Sequence, residues 1–198
     1  MSESKPIQQP PINTSNAYEK PVARILDFYI SGDITQAKDY QDWNQLMRNA
    51  TENDAVILHI NSSGGAIFTA IQLMRSMAES PSTVVASGAG MCMSAATLIF
   101  LCADVCEVSE HSSFMFHTYS SGNWGKGNEQ LASVIADDKW ARHLFNAVYK
   151  GFLDIKEIKE MIDGKDFWMD PTEVKRRLDK RNKVAKKKGI AKKRGRRV

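Results

Sequence analysis

The chain has 198 residues, 42% of them hydrophobic, which suits one globular domain with a sizeable core. Residues 175–198 hold 14 Lys and Arg against one acid, a net charge of +13; because the whole chain carries +4, residues 1–174 carry −9. The three cysteines are too few for a disulfide framework and lack zinc-ligand spacing, so the composition favours buried apolar fillers in a reducing compartment over a metal site.

The first twenty residues are polar and contain proline, so we predict a flexible N-terminal arm over 1–20. They contain no apolar core of a signal peptide. The longest apolar run, 91–103, is shorter than the roughly 20 residues that a membrane-spanning helix needs. We therefore expect a protein without a membrane segment and with a cytoplasmic location.

The next elements alternate between strand and helix. A β-rich run predicts a strand over 22–34, and helically spaced apolar residues predict a helix over 35–49. A continuous apolar run over 55–60, ended by Asn-Ser-Ser-Gly-Gly at 61–65, predicts a buried strand that feeds a tight turn. Paired glycines can present backbone N–H groups to an anion, although such a pair more often marks a plain turn.

The middle of the chain contains the longest apolar stretch. We predict an amphipathic helix over 66–78, a strand over 82–87, a glycine turn at 88–90 and a buried helix over 91–102. Ser94 lies within this last helix, where serine is a mediocre helix former. Taken alone, Ser94 favours a structural role in which its hydroxyl bonds to a carbonyl of the preceding turn.

Two short strands, at 105–108 and 114–116, precede helices over 128–149 and near 155–161. Strands that alternate with helices through brief turns predict an α/β fold. His117 ends the second short strand beside a polar loop, and such loops often carry function. An ordinary surface histidine remains the alternative unless His117 pairs with Ser94.

Four short segments follow one another in order: Ile-Asn-Ser-Ser-Gly-Gly at 60–65, Gly-Ala-Gly-Met-Cys-Met-Ser-Ala-Ala at 88–96, Met-Phe-His at 115–117 and Asp-Phe-Trp-Met at 166–169. They resemble four segments of the Clp protease proteolytic-subunit family: the Asn-Ser-Pro-Gly-Gly turn, the Gly-x-Ala-x-Ser nucleophile segment, the Met-Ile-His segment and the segment with the third triad residue. The order and the spacing agree, and the resemblance spans roughly residues 22–173.

The resemblance implies a role for each matched residue. Ser94 is implied as the nucleophile, His117 as the general base and Asp166 as the acid that orients the imidazole. The backbone N–H groups of Gly65 and Ala95 are implied as the oxyanion hole. A Cβ at position 65 is expected to crowd the approaching substrate, and the chemistry needs neither metal nor cofactor.

The resemblance also implies an architecture. It predicts an α/β spiral of ββα units of the kind that Clp proteases share with crotonases, over 21–174, with a helix-and-loop handle at about 120–149. It implies homo-oligomeric, heptameric rings that hydrolyse unfolded polypeptides, and an AAA+ unfoldase as a possible partner. The chain has no G-x-x-x-x-G-K-[ST] motif, so any ATP use is assigned to that partner.

The chain departs from the family pattern in three places. Ser63 stands where the family has proline, and Ala95 where it has methionine; both changes leave the backbone donors in place. After position 173 the chain has basic sequence in place of the family's Gly-Leu-(Ile/Val)-Asp. The sequence therefore does not predict the last strand of the family. For the same reason Asp163 and Asp170 remain alternatives to Asp166.

The basic segment 175–198 predicts a disordered, solvated tail. A second interpretation is a weak polyanion contact through phosphate neutralisation. The segment has no aromatic residue for base stacking, so such binding would be independent of sequence.

The leading interpretation is an ATP-dependent type of serine endopeptidase, and several other functions compete with it. The nearest are a protease that processes phage head proteins without an ATPase and a catalytically silent ring subunit. An acyl-CoA enzyme of the crotonase superfamily shares the expected fold but does not need a Ser94/His117 pair. A signal-peptide peptidase with a Ser–Lys pair is disfavoured because the sequence has no membrane segment and offers a suitable histidine.

Overall fold

A computed structural model describes residues 23–122 and 124–187, so the predicted arm over 1–20 and residues 188–198 of the predicted tail lie outside it. The strands are β1 (Ile25–Ile34), β2 (Ala55–Gly65), β3 (Thr83–Met93), β4 (Val105–Val108), β5 (Ser113–Phe116) and β6 (Phe167–Met169). The helices are α1 (Gln41–Asn49), which follows a 3-10 turn over Ala37–Tyr40, α2 (Ile67–Glu79), α3 (Ala95–Cys102), α4 (Gly127–Tyr149), α5 (Ile155–Ile162) and α6 (Pro171–Lys187).

The described strands form one sheet, which is parallel except at one edge. β1, β2 and β3 pair side by side, each joined to the next by a helical crossover. β3 has two partners on its other side: β4 pairs with Val85–Gly88 and β5 pairs with Met91–Met93. β6 closes the edge as an antiparallel partner of β5. The predicted α/β class is confirmed, and the repeated strand–helix units and the long α4 agree with the expected spiral and handle.

The core lies between the sheet and the helices, with α3 at its centre. α3 packs against β2, β3, α2 and α4, and its residues Leu98, Ile99 and Phe100 are fully buried. A helix that is apolar on every side is stable only inside a protein, where each large side chain contributes about 1.5–3 kcal/mol by leaving water. The ends of β3 and β5 therefore rest on a rigid interior.

β3 is longer than the sequence pattern predicts. It continues through the expected glycine turn at 88–90 to Met93, and α3 begins only at Ala95. The two glycines permit close packing rather than a turn. A Cβ on Gly88 would lie 2.7 Å from Phe114 Cζ, and one on Gly90 would lie 2.6 Å from Asn61 Oδ1.

The predicted disorder of the basic segment is wrong for residues 175–187, which form most of α6. Val174 and Leu178 lie one helical turn apart and are buried in the core. Arg177 pairs with Glu157 and Glu173, at 2.6 Å in each case, and Arg181 Nη1 donates to the carbonyl of Leu101 at 3.1 Å. The segment therefore packs on the body as a continuation of the domain, and no break occurs at residue 174.

Candidate active site

Ser94 lies at the junction between β3 and α3, outside the helix that the sequence predicts. Its backbone has φ 54° and ψ −126°, and it is the one non-glycine residue with positive φ in the described part of the chain. Its N–H donates to the carbonyl of Met115 on β5 at 2.9 Å, which fixes the turn. Such backbone strain costs about 1–3 kcal/mol and is typical of functional positions.

Ser94 and His117 lie beside each other because their strands pair. Met93 on β3 pairs with Met115 on β5, Ser94 comes directly after Met93, and His117 comes two residues after Met115. Ser94 Oγ lies 2.7 Å from His117 Nε2. The alternative in which the Ser94 hydroxyl bonds to a carbonyl of a preceding helical turn is wrong, because this hydroxyl bonds to the imidazole. The hydroxyl also makes no capping bond to α3.

Asp166 stands next to His117 in the sheet register but does not touch it. β6 runs antiparallel to β5, and the pair Phe116–Phe167 places His117 and Asp166 at the adjoining positions. Asp166 is exposed, and its carboxylate has no hydrogen-bond partner among the described residues. The structure thus brings two of the three predicted triad residues into contact.

Of the two alternative acids, Asp170 has a carboxylate that is engaged elsewhere, whereas the bond of Asp163 involves its backbone. Asp170 caps α6, since its Oδ1 accepts the N–H of Glu173 at 2.8 Å. Asp163 ends α5, where its N–H donates to Lys159 at 2.9 Å, and its charge is among the minor causes that raise the pKa of Arg142. Neither residue bonds to His117 in the described part of the chain.

The glycine pair at the end of β2 lies directly behind the nucleophile. Gly64 and Gly65 have φ of 104° and 137°, a region that favours glycine. A Cβ on Gly64 would lie 2.6 Å from Ser94 Cβ, and one on Gly65 would lie 2.9 Å from the nitrogen of Ile34. Glycine at position 65 is therefore required for its pairing with β1.

Gly65 and Ala95 both line the cavity that Ser94 faces. Ala95 is the first residue of α3, so its N–H has no partner within the helix. The positive end of the helix dipole also lies at this residue. The cavity wall beside Ser94 is therefore suited to hold a negatively charged oxygen.

The cavity measures about 230 Å³, and both apolar and polar residues line it. Besides Ser94 and His117, its lining includes large side chains from α2, α3 and α4: Phe68, Leu98, Trp140, Phe145 and Tyr149. Polar residues 118–121 form its rim, and Asp137 is part of its wall. The walls can accept apolar side chains of a polypeptide.

A buried hydroxyl pair supports the Ser94 turn, and the sequence reasoning missed it. Thr97 Oγ1 donates to the carbonyl of Ser94 at 2.7 Å and lies 2.8 Å from the hydroxyl of Tyr149. Burial raises the pKa of Tyr149, which keeps its phenol neutral. Thr97 follows Ser94 at a helical spacing of three, which is the one local signal that could have identified it.

The described residues offer no cluster of three or more His, Cys, Asp or Glu side chains that could hold a metal ion. In the same part of the chain, no helix is both long enough and apolar enough to cross a membrane.

Comparison with models of known protein families matches residues 18–177 to the family described as Clp protease. A search of curated proteins finds no match. The matched region contains every predicted site residue and extends from before β1 into the first two turns of α6.

Proposed function

The chain belongs to the Clp protease family, and from that premise we propose that it is a serine endopeptidase with Ser94, His117 and Asp166 as its catalytic residues. The observation that carries the proposal is the 2.7 Å contact between Ser94 Oγ and His117 Nε2 at the wall of the cavity. A nucleophile and its base must meet at this distance before either can act.

In the first half of the reaction, His117 Nε2 takes the proton of Ser94 as Oγ bonds to the peptide carbonyl carbon. The carbonyl oxygen becomes an oxyanion that accepts hydrogen bonds from the N–H groups of Gly65 and Ala95. Each such donor stabilises the transition state by about 2.7–4 kcal/mol in a comparable protease. The C–N bond then breaks, and His117 passes its proton to the leaving amine.

In the second half, water attacks the acyl group on Ser94 while His117 Nε2 takes a proton from that water. The ester bond to Oγ breaks, the acid product leaves, and the proton returns from His117 to Oγ. Atoms and charge balance without a cofactor. The steps require a neutral imidazole whose Nε2 accepts, so Nδ1 must carry the hydrogen.

Asp166 is proposed to accept that Nδ1 hydrogen. Its position opposite His117 in the sheet register supports this role, as does the competing bond of the Asp170 carboxylate. A rotation of the Asp166 side chain is needed, because no bond joins the two residues in the structure. Hydrogen bonds of catalytic groups often tighten only when substrate binds.

The handle helix supports a homo-oligomeric assembly. Leu131, Val134 and Ile135 lie three and four residues apart on α4 and are each at least 47% exposed. Exposed apolar stripes of this kind mark protein–protein contacts. We assign a second copy of the chain to this stripe, within rings of the kind typical of the family, and an AAA+ unfoldase to the delivery of unfolded chains.

The proposal is tested by labelling the full chain with a fluorescent fluorophosphonate, which reacts with activated serines. We expect labelling of wild type and none of Ser94→Ala or His117→Ala. Ser87→Ala and His59→Ala are matched controls, because both residues lie on the outward sheet face and pair across β2 and β3. These controls should label as wild type does.

Asp166 is tested by the rate of labelling. Asp166→Asn should slow the reaction by about 10⁴-fold, as loss of the orienting acid does in other triads. Asp163→Asn and Asp170→Asn should stay close to wild type. A folded, assembled wild type that never labels would contradict the proposal and favour a catalytically silent ring subunit.

A further inference from the structure

The cavity beside Ser94 contains one acidic side chain. Apart from Asp137 and His117, the described residues that line it are uncharged, and they include large apolar and aromatic side chains. Protein walls of low dielectric constant concentrate the field of a fixed charge. Asp137 therefore makes one part of an otherwise neutral cavity strongly negative.

The Asp137 carboxylate is unpaired, unlike that of its neighbour. Asp138 accepts from Arg142 Nε at 2.7 Å, one turn along α4. For Asp137 no ion pair or hydrogen bond occurs within the described residues, although it is only partly exposed. A half-buried charge without a partner is poorly solvated, so the approach of a cation lowers its electrostatic free energy.

Aromatic groups beside Asp137 suit a long cationic side chain. Trp140 lies one turn further along α4, and its ring stacks on Phe68 with centroids 4.9 Å apart. Tyr119 also lines the cavity; burial, and then the charges of Asp138 and Asp137, raise its pKa. Lysine and arginine bury their methylene stems on apolar surfaces and place their charged ends near aromatic faces.

We propose that Asp137 forms a subsite that binds a lysine or arginine side chain of the polypeptide substrate in the cavity beside Ser94. The inference rests on the proposed peptidase function and adds a substrate preference to it. Asp137 acts here as a binding residue; the chemistry at Ser94 is unchanged.

The test uses the full-length protein and a set of quenched fluorescent peptides with apolar sequences. One arginine is moved through every position on each side of the cleaved bond, and matched peptides carry norleucine instead. Wild type should prefer arginine at one position or more. In Asp137→Asn the ratio of kcat/KM for arginine over norleucine at that position should fall about five- to tenfold, as expected for loss of one partly buried charge pair.

Asp138→Asn is the matched control, because it removes the same charge one residue away and outside the cavity lining. The ratio of kcat/KM for arginine over norleucine in Asp138→Asn should stay within about twofold of wild type, because a surface charge contributes little to binding. An unchanged ratio in Asp137→Asn, or no arginine preference at any position in wild type, would overturn the subsite.

A binding measurement separates this inference from the peptidase proposal. The dissociation constants of the arginine and norleucine peptides are compared for Ser94→Ala and for Ser94→Ala combined with Asp137→Asn. Tighter binding of arginine that depends on Asp137 supports the subsite even if no peptide is hydrolysed. Equal binding of both peptides overturns it even if hydrolysis depends on Ser94.

Discussion

Ser94 adopts an unfavourable backbone conformation that positions its side chain for its proposed function. At φ 54° and ψ −126° a side chain is poorly tolerated, and the turn persists because β5 and Thr97 bond to its N–H and carbonyl. The conformation directs Oγ towards His117. Strain that is held by the surrounding structure is expected where geometry matters more than stability.

Replacing Ser94 by glycine should therefore stabilise the protein while abolishing activity. Glycine adopts positive φ without a Cβ penalty, so Ser94→Gly should raise the free energy of unfolding by about 1 kcal/mol over Ser94→Ala. Urea denaturation of the two inactive variants checks this. Equal stability would show that the turn is not strained.

Gly64 is predicted to be the most sensitive glycine near the site. A Cβ there meets Ser94 Cβ at 2.6 Å and the Met93 carbonyl oxygen at 2.8 Å, so Gly64→Ala should displace the nucleophile and destabilise the fold by about 2–3 kcal/mol. Fluorophosphonate labelling and urea denaturation measure the two effects.

Gly32→Ala is the matched control for this change. Gly32 also has positive φ, 82°, but a Cβ there would meet no atom within 4 Å. It should cost about 1 kcal/mol from backbone strain alone and leave labelling intact. Similar losses in both variants would show that backbone strain, and not contact with Ser94, determines the effect at position 64.

Among the elements, α6 differs most from the sequence-based expectation. Its density of Lys and Arg indicates disorder when charge alone is considered, yet the apolar residues Val174 and Leu178 bury themselves in the core. Arg177, whose side chain is 14% exposed, pairs with Glu157 on α5 and with Glu173 one turn earlier. The helix is thus attached by packing and by ion pairs.

Arg177→Met should lower the free energy of unfolding by about 2–3 kcal/mol at neutral pH, because the partly buried Glu157 carboxylate loses its cationic partner, whereas Glu173 keeps Arg176. The hydrogen bond from Arg176 chiefly lowers the pKa of Glu173 to about 2, and Arg177 lowers that of Glu157. Carboxylates with lowered pKa contribute stability that is complete above their ordinary pKa near 4.5 and is lost as the pH falls towards 2.

The stability difference between wild type and Arg177→Met should therefore shrink below about pH 4.5, where both glutamates begin to protonate in the unfolded chain. Arg176→Met is the control, since Arg176 is 61% exposed and, within the described residues, forms its ion pair with Glu173 alone. Its effect should stay below about 1 kcal/mol. Urea denaturation of both variants at a series of pH values measures these effects. A stability difference between wild type and Arg177→Met that does not change with pH would contradict the ion-pair explanation.

What the sequence could predict differs from element to element. Alternating strands and helices, and four motifs in order, were enough for the α/β class and for the meeting of Ser94 with His117. The length of β3 was not predictable, because glycine signals a turn locally while Phe114 and Asn61, which require Gly88 and Gly90, lie far away in the chain. Tyr149 and Asp137 carry no local signal, since only the folding of α4 over the cavity brings them to the site.

At the scale of the whole molecule, the net charge is distributed unevenly along the chain. Residues 1–174 carry a net charge of −9 and residues 175–198 carry +13, which together make the +4 of the chain. Within the described part, the outward side of α6 exposes Lys175, Lys180, Lys183 and Lys186. Cations held on a fixed helix surface can neutralise phosphates without reading a sequence.

We propose weak binding of polyanions to this surface. Fluorescence anisotropy with a labelled duplex DNA should show affinity at low salt that falls steeply as salt rises, with equal affinity for unrelated sequences. Changing Lys180 and Lys183 to Gln should reduce the slope of log affinity against log salt by up to about 2. A binding midpoint that ignores ionic strength would count against the proposal.

The attachment of α6 also determines where the chain can be shortened for recombinant expression. The family match ends at Arg177, in the middle of this helix, so a truncation placed there would remove Leu178 and the Arg181 bond to Leu101. Apolar surface would be uncovered at the C-terminal end of α3, and such patches favour aggregation. A shortened gene that keeps the codons through Lys187 should give soluble protein, whereas one that stops at the family boundary should give inclusion bodies.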